Sequence, residues 1–233
     1  MKKLCVIQHT EAEYLGLIED HFEGRNVRFI YHRPFTHGGT LPSGVEDYDG
    51  LVLLGGGPYG LVSGHILPSI SPELKITKGF LDAGVPVLGF ELGSVILSVA
   101  AGGGALEQDL RFTMEDAIAT QKGQELLGLP ERFPLSCYLR DMPKPPANSE
   151  ILASNAAGDP LAFSIGETNF GFVGHPGAKR GMMEDLIMEF VESPDDPHDT
   201  LVRLGAGQAE IAENLTGLMV ALSRQMGLFE ASE

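Results

Sequence analysis

Tryptophan is absent from the 233 residues, and cysteine occurs only twice, as Cys5 and Cys137. Two thiols supply no disulfide framework, which excludes a small secreted scaffold held together by cross-links. Cys5 lies inside an apolar run that reads as a buried strand, so a reducing cytoplasm is the expected location. Basic residues are scarce as well: 16 Lys and Arg stand against 32 Asp and Glu, a net charge of −16. That balance argues against nucleic acid or an anionic membrane as the main partner and suits a soluble protein. Long apolar runs are also missing, and none approaches a membrane span. Met1-Lys2-Lys3 carries the charge of a secretion signal, but the run from Leu4 ends at Gln8-His9, too short for the apolar core of one. His9, His21, His32, His37, His65 and His198 show no metal-ligand spacing, so neither a metal nor a cofactor is expected.

What remains is ordinary globular material, 43% hydrophobic and 21% charged, in a chain long enough to bury a sizeable core. Leu4 to Ile7 reads as a buried strand. Thr10 followed by Glu13 is a capping-box signal for a helix running to about Phe22. Val27 to Tyr31 is a second strand, residues 34–49 are Gly- and Pro-rich loop, and Gly50 to Leu54 is a third strand ending in Gly55-Gly56-Gly57-Pro58. A helix from Pro72 to Ala83, stopped by Gly84, leads to an apolar strand at Val85 to Leu88 and a helix from Leu92 to about Ala101. Apolar strands alternating with helices predict a parallel sheet covered on both faces.

From Glu107 to Pro130 the pattern weakens, with a helix near Gln121 to Leu127. Ile151 to Ala153, Leu161 to Ile165 and Thr168 to Val173 are short strands joined by tight turns, an expected antiparallel extension. A helix covers about Gly181 to Val191. Ser193 to Thr200 reads as a linker, and Gln208 to Leu228 as a helix with Ile211, Leu215, Leu218, Leu222 and Met226 on one face. The expected division is therefore 1–192 for the main domain and 193–233 for a linker and C-terminal helix.

Three places carry possible chemistry. In Gly89-Phe90-Glu91-Leu92-Gly93 a strand turns sharply into a helix, the arrangement that can hold a central side chain exposed with backbone amides close by. The central residue is Glu91, which is either a cap for the following helix or a carboxylate nucleophile or base. His175, in Gly174-His175-Pro176, follows a strand and can reach a cleft at the sheet edge, or is simply a structural histidine, the commoner role of a lone His. Gly55-Gly56-Gly57 permits close backbone approach to a ligand, or is an ordinary turn; without a following Lys and Ser or Thr it is no phosphate-binding P-loop. Cys137, in Leu135-Ser136-Cys137-Tyr138-Leu139, has no turn to expose it, and reads as structural.

Taken in order, Tyr48-Asp49-Gly50-Leu51-Val52-Leu53-Leu54-Gly55-Gly56-Gly57-Pro58, Gly84-Val85-Pro86-Val87-Leu88-Gly89-Phe90-Glu91-Leu92-Gly93 and Phe170-Gly171-Phe172-Val173-Gly174-His175-Pro176 resemble the class I glutamine amidotransferase family. The likeness covers most of residues 1–190 and is nearest to stand-alone members similar to the glutaminase domain of GMP synthase. It implies a flavodoxin-like α/β fold, a mostly parallel sheet with helices on both faces. It also implies a cysteine nucleophile at the turn, a His that activates it, a Glu two residues after the His, and oxyanion amides. In this chain the His is His175, but the nucleophile position is Glu91, the orienting position is Gly177, and Val95 replaces a substrate-binding Gln. The amides of Gly56, Gly57 and Leu92 would line the oxyanion site.

Without sulfur no thioester forms, and a carboxylate repels the oxyanion of acyl transfer. The expectation is a homologue without glutaminase activity that binds a small amide or acidic ligand, or a synthase or ligase partner. The alternative is a hydrolase or amidotransferase of altered chemistry using Glu91 and His175. The apolar face of the C-terminal helix is a candidate partner surface, although such a face is more often simply core.

Overall fold

The uninterrupted apolar runs form the centre of a nine-stranded sheet in the computed structural model, which describes residues 1–229. The rest of the expected C-terminal division, 230–233, lies outside the described residues. In chain order the first half comprises β1 (Lys3–Ile7), α1 (Ile18–Glu23), β2 (Arg28–His32), β3 (Gly50–Leu53), a short pair β4 (Tyr59–Gly60) and β5 (His65–Ile66), α2 (Ile70–Asp82), β6 (Val87–Phe90) and α3 (Leu92–Ala100). There follow β7 (Gly104–Leu106), β8 (Arg111–Ala119), α4 (Gln121–Leu127), β9 (Arg132–Leu139), β10 (Met142–Lys144), β11 (Ser149–Ser154), β12 (Pro160–Ile165), β13 (Asn169–Phe172), α5 (Arg180–Glu189) and α6 (Pro197–Gln225).

The sheet order is β2-β1-β3-β6-β13-β12-β11-β8-β9. From β2 to β13 the pairings are parallel, and from β13 to β9 they are antiparallel. Every residue of β3 and β6 is buried, as expected of parallel strands covered on both faces. On one face Leu215, Leu218 and Leu222 of α6 join Phe22 of α1 and Leu127 of α4 against the sheet. On the other, Phe80 of α2 and Ile96 and Leu97 of α3 do the same. This is the flavodoxin-like arrangement, with an antiparallel extension. Among the described residues no helix is long and apolar enough to cross a membrane.

Several elements differ from the sequence-based expectation. The first helix begins only at Ile18: Glu13 N does donate to Thr10 Oγ1 at 3.1 Å, but Gly16, with φ +64°, turns the chain out of helical geometry. The poorly patterned stretch after Glu107 holds β8, and β9 follows it, extending the sheet beyond β11. The last helix starts at Pro197, inside the stretch read as linker, because proline fits the first turn of a helix. Ile211, Leu215, Leu218, Leu222 and Met226 are all buried in the chain's own core, so that face is not a partner surface.

At the centre of the sheet Gly89 and Gly93 allow two backbones to touch. A Cβ on Gly89 would meet the Gly93 carbonyl, and one on Gly93 would meet the Leu53 carbonyl. Gly93→Ala is therefore expected to cost at least about 1–3 kcal/mol of stability, seen as a lower melting temperature. An unchanged melting temperature would show that the turn can yield.

Candidate functional site

The turn from β6 into α3 places Glu91 at φ 50° and ψ −117°, a backbone conformation that side chains rarely adopt and that stores roughly 1–3 kcal/mol. It is held from both sides. Glu91 N donates to Phe172 O at 2.8 Å, Gly93 N donates to Leu54 O at 3.1 Å, and Ser94 Oγ donates to Glu91 O at 2.7 Å. The side chain does not cap α3. It runs inward, where Glu91 Oε1 accepts from Tyr138 N of β9 at 2.8 Å and the residue is fully buried.

The other oxygen, Oε2, meets a residue that the sequence marked only as a helix cap. Glu13 Oε2 accepts from Gly57 N at 2.6 Å and from Thr10 Oγ1 at 3.3 Å. Glu13 Oε1 and Glu91 Oε2 are buried and have no other partner. Both converge over the Cα of Gly55, where a Cβ would collide with the two of them. Two acceptor oxygens in that position attract only if one proton lies between them. Burial and mutual repulsion push Glu91 well above the ordinary carboxylate range, and burial lifts Glu13 to about 7. The pair is thus a carboxyl and a carboxylate rather than two anions.

Behind Glu13 stands a second buried pair. His9 Nε2 lies 2.8 Å from Glu73 Oε2, and His9 Nδ1 lies 2.8 Å from Gly55 O and 3.1 Å from Leu54 O. A carbonyl only accepts, so Nδ1 carries a proton, and the carboxylate takes a second from Nε2. Burial alone would lower the His9 pKa, but the Glu73 carboxylate, the Gly55 carbonyl and Glu13 together outweigh it and the net shift is upward. A charged His9 clamps the carbonyl end of the glycine loop whose next amide-bearing residues are Gly56 and Gly57. Gly56 packs so closely on Leu92 that a Cβ there would strike the Leu92 side chain, which puts the two expected oxyanion residues side by side. Gly57, the third, already has its amide engaged by Glu13.

His175 is fully buried beside this centre, its ring stacked on Phe90 with centroids 5.1 Å apart. Its Nε2 donates to Tyr14 O at 3.0 Å, and its Nδ1 accepts from Gly177 N at 3.1 Å. Both ring nitrogens are occupied and the neutral tautomer is fixed. Burial lowers the His175 pKa to about 4, although the Tyr14 carbonyl pulls the other way. Among the described residues no hydrogen bond joins His175 to Glu91. Gly177, at the expected orienting position, packs on Ile18, 2.8 Å from the Cβ a larger residue would carry. Val95 is buried within α3.

Strand β9 contributes twice, through Tyr138 N to Glu91 and through Ser136 O, which accepts from His175 N at 2.8 Å. Nothing in the residue types of Leu135 to Leu139 announces this, because both contacts are made by backbone. Cys137 is buried there, and burial drives its thiol pKa well up, so it is no thiolate. Outside the turn, a cleft of about 410 Å³ opens between Pro58, Tyr59, His65, Ile66, Phe190 and Glu192. The Phe190 ring reaches within 3.0 Å of the place a Cβ on Gly57 would take, so the cleft adjoins the closed centre. Among the described residues no group of three or more His, Cys, Asp or Glu side chains could hold a metal ion.

This combination of sheet order, turn and glycine loop is the fold of class I glutamine amidotransferases. A glutamine amidotransferase from Thermotoga maritima superposes with a TM-score of 0.80 at 22% identity, covering 97% of this chain and 98% of its own. One from Methylobacillus flagellatus gives 0.83 at 18% identity, covering 100% and 97%. A Thermoplasma acidophilum protein assigned as a GMP synthase subunit gives 0.58 at 18% identity, covering 90% and 98%. No family model and no curated protein matches the sequence.

Proposed function

We propose that the chain is a glutamine amidotransferase-like protein without glutaminase activity, which serves as a ligand-binding or partner-binding homologue. The observation that carries this reading is Glu91 at the centre of the turn, the position of the nucleophile in an amidotransferase elbow, with its carboxyl group committed to Tyr138 N and Glu13. A shared proton makes it a poor nucleophile, and a nearby negative charge disfavours an oxyanion. His175 supports the same conclusion: with both nitrogens bonded to backbone it has no free lone pair with which to take a proton. These bonds also point away from the altered-chemistry alternative that pairs Glu91 with His175.

The ligand in this reading is a small amide or acid entering by the cleft beside Gly57, and the partner is a synthase or ligase. The likeness to a protein assigned as part of a synthase favours such a partner. Two buried, unpaired cysteines agree with a cytoplasmic setting. Ammonia release from L-glutamine tests the reading: the purified protein is expected to match the buffer blank. Turnover at an ordinary enzyme rate, about 1 per second or faster, that His175→Ala abolished would overturn it.

A further inference from the structure

Residues 10–17 cross the turn as a strap, fastened to α5, to β2, to the His175–Gly177 segment and to Gly57. Glu11 N and Ala12 N donate to the two carboxylate oxygens of Glu189 on α5, at 2.9 and 3.0 Å. Tyr14 O accepts from His175, Leu15 N donates to Tyr31 Oη at 3.1 Å, and Leu17 N donates to Gly177 O at 3.0 Å. In the middle, Glu13 sets its carboxylate on the Gly57 amide and turns its remaining oxygen toward Glu91. The chain thus supplies its own carboxylate to an amide that an outside anion would otherwise use.

We propose that this strap is a latch: it closes the site by lodging Glu13 on the Gly57 amide, and it opens when the proton shared by Glu13 and Glu91 is lost. The inference rests on the reading of this turn as the ligand site, while its physical basis is the pair itself. Two carboxylates held together away from water repel strongly, and the only partner free to leave is Glu13, because Glu91 sits in the tightly packed turn at the centre of the sheet. Opening frees the Gly57 amide for an anionic ligand.

The other charged and titratable groups around the pair do not provide the same trigger. From β9, the Tyr138 phenol and Cys137 thiol face Glu91, and burial pushes both upward, so they remain neutral. Beyond Tyr138 stand Arg140 and Glu192, paired with each other. From the segment after β13, His175 is held neutral, with its pKa lowered to about 4. From α5, Glu189 faces the outer side of the strap. From β1 and α2, His9 and Glu73 form the charged pair behind Glu13, and loss of the His9 charge would act in the same direction as loss of the shared proton. A variant confined to the carboxyl pair separates the two.

Hydrogen exchange of the amides in residues 10–17, corrected for the intrinsic pH dependence, reads the latch directly on the full chain. Between about pH 6 and about pH 9 the wild-type opening constant is expected to rise at least tenfold, since opening releases a proton. In Glu91→Gln the amide donates a permanent hydrogen bond to Glu13, so the part of the rise that belongs to Glu91 should be lost, leaving only the step of the buried Glu13 near 7. Glu13→Gln removes the neighbour that repels Glu91 and should likewise give a smaller rise than wild type, which keeps the test valid if one variant folds poorly. A flat wild-type profile, or the same rise in both variants, would overturn the proposal. No glutamine enters the measurement, so a wild type that hydrolysed glutamine yet showed the expected rise would refute the preceding reading and leave the latch standing.

Discussion

Glu91→Gln melts higher than the wild type at about pH 8 and nearly level with it at about pH 5. The sign follows from the direction of the two shifts. Glu91 and Glu13 hold protons more tightly in the folded protein than their ordinary value of 4.5 allows. The stability they contribute is therefore complete below 4.5 and is lost as pH rises through about 7, the raised value of Glu13, and on through the higher range of Glu91. A glutamine in place of Glu91 has the same shape, accepts from Tyr138 N with its oxygen and donates to Glu13 with its amide, so the part of the alkaline loss that belongs to Glu91 disappears while the step of the buried Glu13 remains. The gain should be on the order of 2 kcal/mol, since each tenfold change in proton affinity is worth about 1.4 kcal/mol. For a chain of this size that is about 4–8 °C in melting temperature. His175 supplies an internal control. Its value is lowered from 6.5 to about 4, so the stability it contributes is present above 6.5 and lost as pH falls toward about 4, equally in both proteins. A Glu91→Gln protein less stable than wild type at the alkaline end would mean that Glu91 is an anion held by something other than Glu13.

Glu73→Ala has the opposite sign and a larger size. Glu73 and His9 are both fully buried, so removing the carboxylate strands a charged imidazole among carbonyls and leaves a cavity in α2. Breaking one side of such a pair costs about 3–5 kcal/mol, equivalent to a fall of roughly 6–20 °C in melting temperature. Replacing both partners with apolar residues, as in His9→Leu with Glu73→Leu, should recover much of that loss, because neither charge then needs solvation. Recovery should stop short of wild type, since the Leu54 and Gly55 carbonyls lose the Nδ1 donor. Thermal denaturation of the two proteins side by side decides it. A single variant as stable as wild type would show that His9 and Glu73 are not a charged pair.

The parallel core was legible because its strands are short apolar runs that tolerate only one environment. Leu51 to Leu54 and Val87 to Leu88 have no polar residue to place, and the glycines that follow each run mark the turns. Strand β8 was hidden for the opposite reason: in Arg111–Ala119 the buried residues alternate with Arg, Thr and Glu, and the alternation is broken by adjacent Glu115 and Asp116. The capping-box signal starts the first helix too early because a true local contact, Glu13 N to Thr10 Oγ1, belongs to the strap and not to a helix. Glu91, His175 and the glycine loop could be picked out by residue type. Glu13 could not, since its meaning comes from a tertiary contact with an acid far along the chain, and Tyr138 and Ser136 act only through backbone atoms. Among the described residues, one chemical oddity in the sequence, an acid at a turn, is matched by a second acid that nothing nearby in sequence announces.

The shared proton of that acid pair can be observed directly. Carbon-13 spectra of protein labelled at the glutamate carboxyls, with Glu13→Gln and Glu91→Gln used for assignment, would be followed from about pH 3 to about pH 9. One carboxyl of the pair, Glu91, is expected to stay protonated through neutrality, its midpoint falling but remaining above the ordinary 4.5, because burial persists, when Glu13 is replaced by glutamine. Two carboxylates that both ionise near the ordinary 4.5 would contradict the closed pair and, with it, the strap built on it.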